Sequence, residues 1–209
     1  MPFKVSKRIR AALAGVLFLG AGLGGYIGYL KLVGNFHTVI EGQLYRSAQP
    51  TPSQLETYVR EHGIKTVINL RGENSNADWY GAEIAATRDL GVEHIDFRMS
   101  ATTEFTPQRA SEIVAIMEAA PKPILIHCQG GSDRSGLVSA LYSNRIAGVA
   151  AETAERQLSL YYGHVGVPHL SAAYAMDESW EALELPEGDN RRHLGGEVSR
   201  QEELPSLTR

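Results

Sequence analysis

The stretch ILIHCQGGSDRSG, residues 124–136, constrains the architecture of this chain more than any other. An apolar run enters a loop with two adjacent glycines, and a helix-compatible segment beginning at Arg134 leaves it. A short continuous apolar run bounded by turn residues reads as a buried strand, and such strands belong to parallel sheets covered on both faces. Strand, tight loop and helix in that order form one repeat of an α/β layer.

The rest of the chain supplies the partners. KTVINL (65–70) is a second apolar, β-branched strand, VEHIDFRM (92–99) a third, and FHTVIEGQLYRS a short β segment near the start of the domain. Between them, Thr51, Pro52 and Gln54 form a capping-box start to a helix that Gly63 stops. Further helices are predicted over 77–90 with Gly91 as the stop, from Thr106–Pro107 to Ala120, over 134–146 and over 151–162. A last helix in SAAYAMDESWEALE would dock through Trp180 and Leu183. The expected fold class is therefore α/β, a central and mostly parallel sheet flanked by helices.

MPFKVSKRIR places Lys4, Lys7, Arg8 and Arg10 ahead of Ala11–Leu30, which carries no charge. Twenty such residues span about 30 Å as a helix, the thickness of a bilayer core. No small-residue cleavage site ends the run, so it reads as an uncleaved transmembrane anchor in preference to a signal peptide. Only Lys31 and Arg46 follow it closely, so the positive flank predicts a single-pass protein with a cytoplasmic N-terminus and an extracytoplasmic globular domain. Gly20, Gly24 and Gly28 share one helix face. That spacing allows a weak transmembrane homodimer, against the alternative of a Gly-rich span without a partner. The expected organisation is a basic flank (1–10), an anchor (11–30), a catalytic domain (34–185) and a polar tail (186–209) expected to be disordered.

Composition excludes several classes of function. A net charge of -4 gives no electrostatic case for nucleic-acid binding. A single cysteine, Cys128, rules out an internal disulfide framework and a Cys-rich zinc site. Chemistry has to be sought where that cysteine lies. The loop Gln129–Gly130–Gly131–Ser132–Asp133 can turn backbone N–H groups inward, and the helix that follows adds its positive end. Arg134 offers a planar fork for two oxygens of a tetrahedral oxyanion. The same groups favour a thiolate at Cys128, a nucleophile at the floor of a phosphate-sized cradle.

The motif His-Cys-(five residues)-Arg-Ser, set between strand and helix, resembles the P-loop of the cysteine-dependent protein tyrosine and dual-specificity phosphatases. YRSAQPTPSQL and IKTVINLRGE extend the resemblance, which covers roughly residues 34–164 and points to a bacterial, membrane-anchored type. It implies a protein tyrosine phosphatase-like fold with no metal or cofactor. Cys128 would form a phosphocysteine intermediate, while Arg134 and the amides from Gln129 to Arg134 bind the phosphoryl oxygens. Ser135 would hydrogen-bond the departing sulfur, and His127 would either steady the loop or simply pack at the strand end.

The general acid has three candidates. Asp133 comes first, because some lipid-directed and bacterial relatives show the same Cys-x4-Asp-Arg pattern; its alternative role is to cap the helix. Glu104, in the loop SATTEF, and Asp96, within a strand, follow. Arg71, Glu73, Trp79 and Tyr80 border the pocket or serve the scaffold, and Arg46 reads as a scaffold contact.

The loop lacks the lysines common in inositide-directed relatives, so phosphorylated proteins are the expected substrates, with phosphoinositides or small phosphomonoesters as the alternative. Two other readings compete. Rhodanese-like sulfurtransferases generally place their arginine five steps after the cysteine, against six here. A non-catalytic phospho-ligand module would be expected to lack Cys128 or Arg134.

Overall fold

The computed structural model describes residues 6–184; the start of the basic flank and the expected polar tail lie outside the described residues. A long helix, α1 (Lys7–Leu32), leads into a five-stranded sheet ordered β1-β2-β5-β3-β4. The strands are β1 (His37–Ile40), β2 (Leu44–Ser47), β3 (Thr66–Asn69), β4 (Glu93–Asp96) and β5 (Ile124–His127). Only β1 runs antiparallel to its neighbour; β2, β5, β3 and β4 are parallel. The expected single β segment is thus a hairpin, because Gly42 at φ 69° turns the chain back between β1 and β2.

Among the described residues follow helices α2 (Pro52–His62), α3 (Asp78–Leu90), α4 (Pro107–Ala119), α5 (Asp133–Leu141), α6 (Ala151–Ala154) and α7 (Ala175–Glu184). The capping box at Thr51 and Gln54 forms as expected, and Gly63 and Gly91 end their helices in the left-handed conformation. Trp180 is buried and Leu183 packs against the core, so the last helix docks as predicted.

Alternation along the strands divides the core into two layers. Leu44, Ile68, Ile124 and Ile126 face the layer of α4, α5 and α7, while Tyr45, Val67 and Leu125 face α2. The alternation continues past the strand end: Cys128 belongs to the α4–α5 layer. His127 points the other way, where Glu83 of α3 meets it. The parallel strands β2, β3 and β5 all end at this edge, with Ser47 and Asn69 in register with His127. Ligands of α/β sheets bind outside such strand ends.

Two predicted helices are altered. The segment 134–146 starts one residue earlier and passes into a π-helical turn at Tyr142–Ile146. The segment 151–162 breaks into α6 and two short 3-10 turns, Glu155–Gln157 and Leu160–Tyr162. The Gln157 carbonyl leaves the helical ladder to accept from Arg46, and Leu158 packs over Gly136 of α5. The strand predicted over 92–99 is regular only from Glu93 to Asp96; beyond it the Phe97 and Met99 N–H groups still donate to the Asn69 and Leu70 carbonyls, and both side chains are buried in the core.

Candidate active site

Peptide planarity explains how the loop between β5 and α5 becomes a cradle. In a trans peptide the C=O of one residue and the N–H of the next point in opposite directions. Three successive loop carbonyls are held from behind. Asn35 donates its Nδ2 to the Gly130 carbonyl at 2.9 Å, and Arg46 donates Nη2 to those of Gly131 and Ser132 at 2.8 Å each. The amides of Gly131, Ser132 and Asp133 therefore face the opposite side. The Gly131 N–H donates to Cys128 Sγ at 3.2 Å.

Gly131 has φ 71°, and a Cβ there would stand 2.6 Å from the Ala48 nitrogen, so only glycine fits against β2.

Arg46 is fully buried, with Nη1 on the Gln157 carbonyl and side-chain Oε1 and its guanidinium 4.1 Å over the Tyr162 ring. Burial lowers its pKa to about 10, opposed by Tyr162, Cys128 and Asp133, so it remains a cation. It serves the loop as scaffold, in keeping with the sequence reading.

A cleft of about 330 Å³ is lined by Cys128, Gln129, Gly130, Ser132, Asp133 and Arg134, together with Ala101, Gly163, Ile27 and Lys31. Arg134 donates Nη1 to the carbonyls of Leu70 and Met99, each at 3.3 Å, which aligns its side chain between β3 and the loop after β4. Ser135 is fully buried, but its Oγ has no partner; the expected bond to the sulfur is not made in this geometry.

Asp133 is engaged in a chain of three groups. Its Oδ1 lies 2.7 Å from His164 Nδ1, and His164 Nε2 lies 2.9 Å from Asp177 Oδ2. Burial would lower the His164 pKa, but the two carboxylates override it and raise the value above that of a free histidine. The Ser132 side chain, which would cap α5, makes no cap hydrogen bond.

The other two acid candidates do not line the cleft. Asp96 accepts from Asn69 Nδ2 at 2.8 Å and from the Tyr80 hydroxyl at 2.5 Å, a structural lock at the end of β4. Glu104 is solvent-exposed.

Behind the cradle lies a second polar cluster. Glu83 Oε1 meets His127 Nε2 at 3.1 Å and His94 Nε2 at 2.8 Å, and its Oε2 accepts from Gln49 Nε2. Gln49 Oε1 accepts from Arg71 Nη1, and the Arg71 guanidinium stacks 3.5 Å over Trp79. Burial alone would raise the Glu83 pKa; the hydrogen bonds from His127 and His94 prevail and hold it at about 2. His127 thus steadies the strand end through Glu83, not through the loop itself. Arg71 and Trp79 buttress that cluster, and Glu73 is exposed, with its carbonyl accepting from Arg98.

Sequence reasoning missed Glu83, His164, Asp177, Asn35, Ile27 and Lys31. Glu83 and His164 carried one signal, a polar residue at a position that packing covers, and it becomes visible only when the covering elements are known.

A family model described as a DSP-PTPase phosphatase fused to NAD+ kinase matches residues 34–167. No curated protein matches the chain. Among solved structures the chain is similar to TpbA of P. aeruginosa, at 21% identity and a TM-score of 0.53, covering 72% of this chain and 91% of that one. It is also similar to the core catalytic domain of the PP-IP phosphatase SIW14 from S. cerevisiae, at 18% identity and a TM-score of 0.54, covering 77% and 90%. PTPMT1 aligns at 17% identity with a TM-score of 0.54, covering 71% and 95%. A TpbA variant is solved in complex with phosphotyrosine. At these identities the likeness establishes a common fold.

Proposed function

Because the chain belongs to the dual-specificity phosphatase family whose model it matches over residues 34–167, we propose that it hydrolyses phosphate monoesters through a phosphocysteine intermediate on Cys128. The observation that carries this reading is the cradle itself. Three loop carbonyls are tied outward by Asn35 and Arg46, and a sulfur, an arginine and a carboxylate share one cleft.

In the first step the Cys128 thiolate attacks phosphorus and the ester oxygen leaves from the far side. The amides of Gly131, Ser132 and Asp133 and the Arg134 fork take up charge on the three equatorial oxygens. The leaving oxygen needs a proton, and Asp133 is the acid candidate in the cleft. With Oδ1 on His164, Oδ2 is the oxygen left to serve the leaving group. In the second step water attacks the phosphocysteine, Asp133 accepts a proton from it, and inorganic phosphate and the thiolate are released. Ser135, next to Arg134 in the α5 start, would turn its unpartnered hydroxyl to the departing sulfur.

Phosphotyrosine is a reasonable first ester to try, given the TpbA complex. The six-step spacing from Cys128 to Arg134 weighs against sulfur transfer. The domain boundaries at 34 and 185 and a membrane anchor formed by α1 belong to the same proposal; by length and composition α1 is able to cross a bilayer.

The test is hydrolysis of p-nitrophenyl phosphate and thiosulfate:cyanide transfer by the wild type, Cys128→Ser and Arg134→Ala. Cys128→Ser is expected to abolish hydrolysis while still binding inorganic phosphate, and Arg134→Ala to impair both. Hydrolysis retained in Cys128→Ser, or sulfur transfer exceeding hydrolysis in the wild type, would overturn the mechanism.

A further inference from the structure

Beyond α1 and its cap, five large apolar side chains are conspicuously exposed among the described residues, and four of them fall in one short segment. Leu160, Tyr161, Val167 and Leu170 are 54%, 63%, 39% and 85% exposed; the fifth, Ile84, stands apart on α3. Scattered apolar residues on a surface need no explanation, but four on one short segment, with Leu160 and Val167 lining a common cleft and Tyr161 lining another with Tyr26 and Tyr29 of α1, point to an interface.

The segment is attached to the end of α1. The Tyr26 hydroxyl donates to the Tyr161 carbonyl at 2.7 Å, and Leu30, almost wholly buried, packs beside Gly163. The exposed apolar surface of α1, through Leu23, Tyr26 and Tyr29, therefore continues onto the globular domain.

The level of the active cleft relative to a bilayer follows from α1. The uncharged run ends at Leu30, and a hydrocarbon core takes about 20 helical residues. Ile27 then lies within one turn of the boundary. Tyr26 and Tyr29 stand where interfacial aromatics are enriched, and Lys31 extends into the headgroup layer. Ile27 and Lys31 are the α1 residues that line the cleft with Cys128 and Arg134. One wall of the active site is thus the last part of the span.

Resting on the phosphatase reading above, we propose that the catalytic domain sits on the bilayer that α1 crosses, seated by Leu160, Tyr161, Val167 and Leu170. The cradle then opens at headgroup level and takes phosphate monoesters carried by lipids. The chemistry of the cleft favours such a substrate. A lipid phosphomonoester diffusing in the leaflet brings its phosphate to the height of Lys31 without leaving the membrane. The loop carries no lysine of its own, which in sequence pointed toward peptides. α1 supplies the missing cation from outside the loop.

The test uses the full chain reconstituted in phosphatidylcholine vesicles. Phosphatidic acid in the same leaflet is compared with soluble glycerol phosphate and with a phosphotyrosyl peptide, and p-nitrophenyl phosphate reports basal turnover. Phosphatidic acid is expected to show a kcat/KM at least tenfold above both competitors. The double variant Leu160→Ser/Leu170→Ser is expected to lose at least fivefold on phosphatidic acid while staying within twofold on p-nitrophenyl phosphate. Preference for the peptide or for glycerol phosphate, or a double variant with unchanged vesicle turnover, would overturn the proposal.

Depth is read separately. Tryptophan fluorescence of Leu170→Trp, above the wild-type background, is expected to be quenched by brominated lipid, and absence of quenching refutes the seat. Quenching without hydrolysis of any ester would support the seat and refute the phosphatase reading.

Discussion

Replacing Arg46 by lysine keeps the charge and removes the fork, which isolates the geometric contribution of this residue to the cradle. The guanidinium makes four hydrogen bonds of 2.8 Å, two to the carbonyls of Gly131 and Ser132 and two to Gln157. An ammonium is a single point with three donors, so it can serve the loop pair or the Gln157 pair, not both. At least two charge-assisted bonds are lost, each worth about 1.5–3 kcal/mol. Gln157 is partly exposed, so water recovers a share and a net loss of about 3 kcal/mol is expected. For a domain of this size that corresponds to a fall in Tm of about 6–12 °C. Release of the carbonyls also frees the opposed amides to turn away. Losing the aim of one such donor typically costs about a hundredfold in kcat. Thermal unfolding and steady-state hydrolysis of p-nitrophenyl phosphate measure the two effects. A variant within 2 °C and twofold of wild type would show that the loop holds its shape without Arg46, and the account of the cradle would fail.

Gly131→Ala places a methyl group 2.6 Å from the Ala48 nitrogen at φ 71°, and the left-handed strain and the clash together should cost about 2–4 kcal/mol, read as a lower urea midpoint with loss of activity. Glu83, held at about 2 against about 4.5 for a free glutamate, contributes about 3 kcal/mol of stability above pH 4.5 that disappears as pH falls toward 2. Glu83→Gln should lack this acid slope in pH-dependent denaturation. His164 behaves with the opposite sign: its raised pKa gives stability that is complete below about pH 6.5 and is lost as pH rises through the folded-state value. His164→Gln should abolish that alkaline slope, and by removing the partner that holds Asp133 Oδ1 it should lower kcat for p-nitrophenyl phosphate.

What could be read in the sequence was local, and what could not was brought together by packing. The strand–loop–helix at 124–136, the capping box at Thr51 and the glycine stops at Gly63 and Gly91 each depend on residues within a few positions of one another. The broken helix at 151–162 depends on Arg46, more than a hundred residues away, which draws the Gln157 carbonyl out of its ladder. No local propensity reports such a competitor. The same applies to the site. The spacing of Cys128 and Arg134 was legible, as was the carboxylate of Asp133 between them. That Asp133 meets His164, and His164 meets Asp177, depends on the seating of the 160–170 segment and α7 on α5. Alternation along β5 could have shown that His127 and Cys128 face opposite layers; it could not show that Glu83 waits for His127.

The cradle also changes how α1 should be regarded. Asn35, in the left-handed conformation at φ 44°, joins the helix to the loop: its backbone N–H donates to the Leu30 carbonyl at 2.8 Å while its side chain donates to Gly130. Left-handed asparagine is tolerated where its amide finds partners, and here it has three, Gly130, Tyr162 and His37. A chain beginning at residue 34 would keep the Asn35 side chain but lose the carbonyl that fixes its backbone, along with Ile27 and Lys31 from the cleft wall. The helix that resembles a simple tether therefore sets one of the three carbonyls on which the amide array depends. Removing it should weaken phosphate binding even for a soluble ester that never meets a membrane, whereas a pure tether could be cut away without effect on such a substrate.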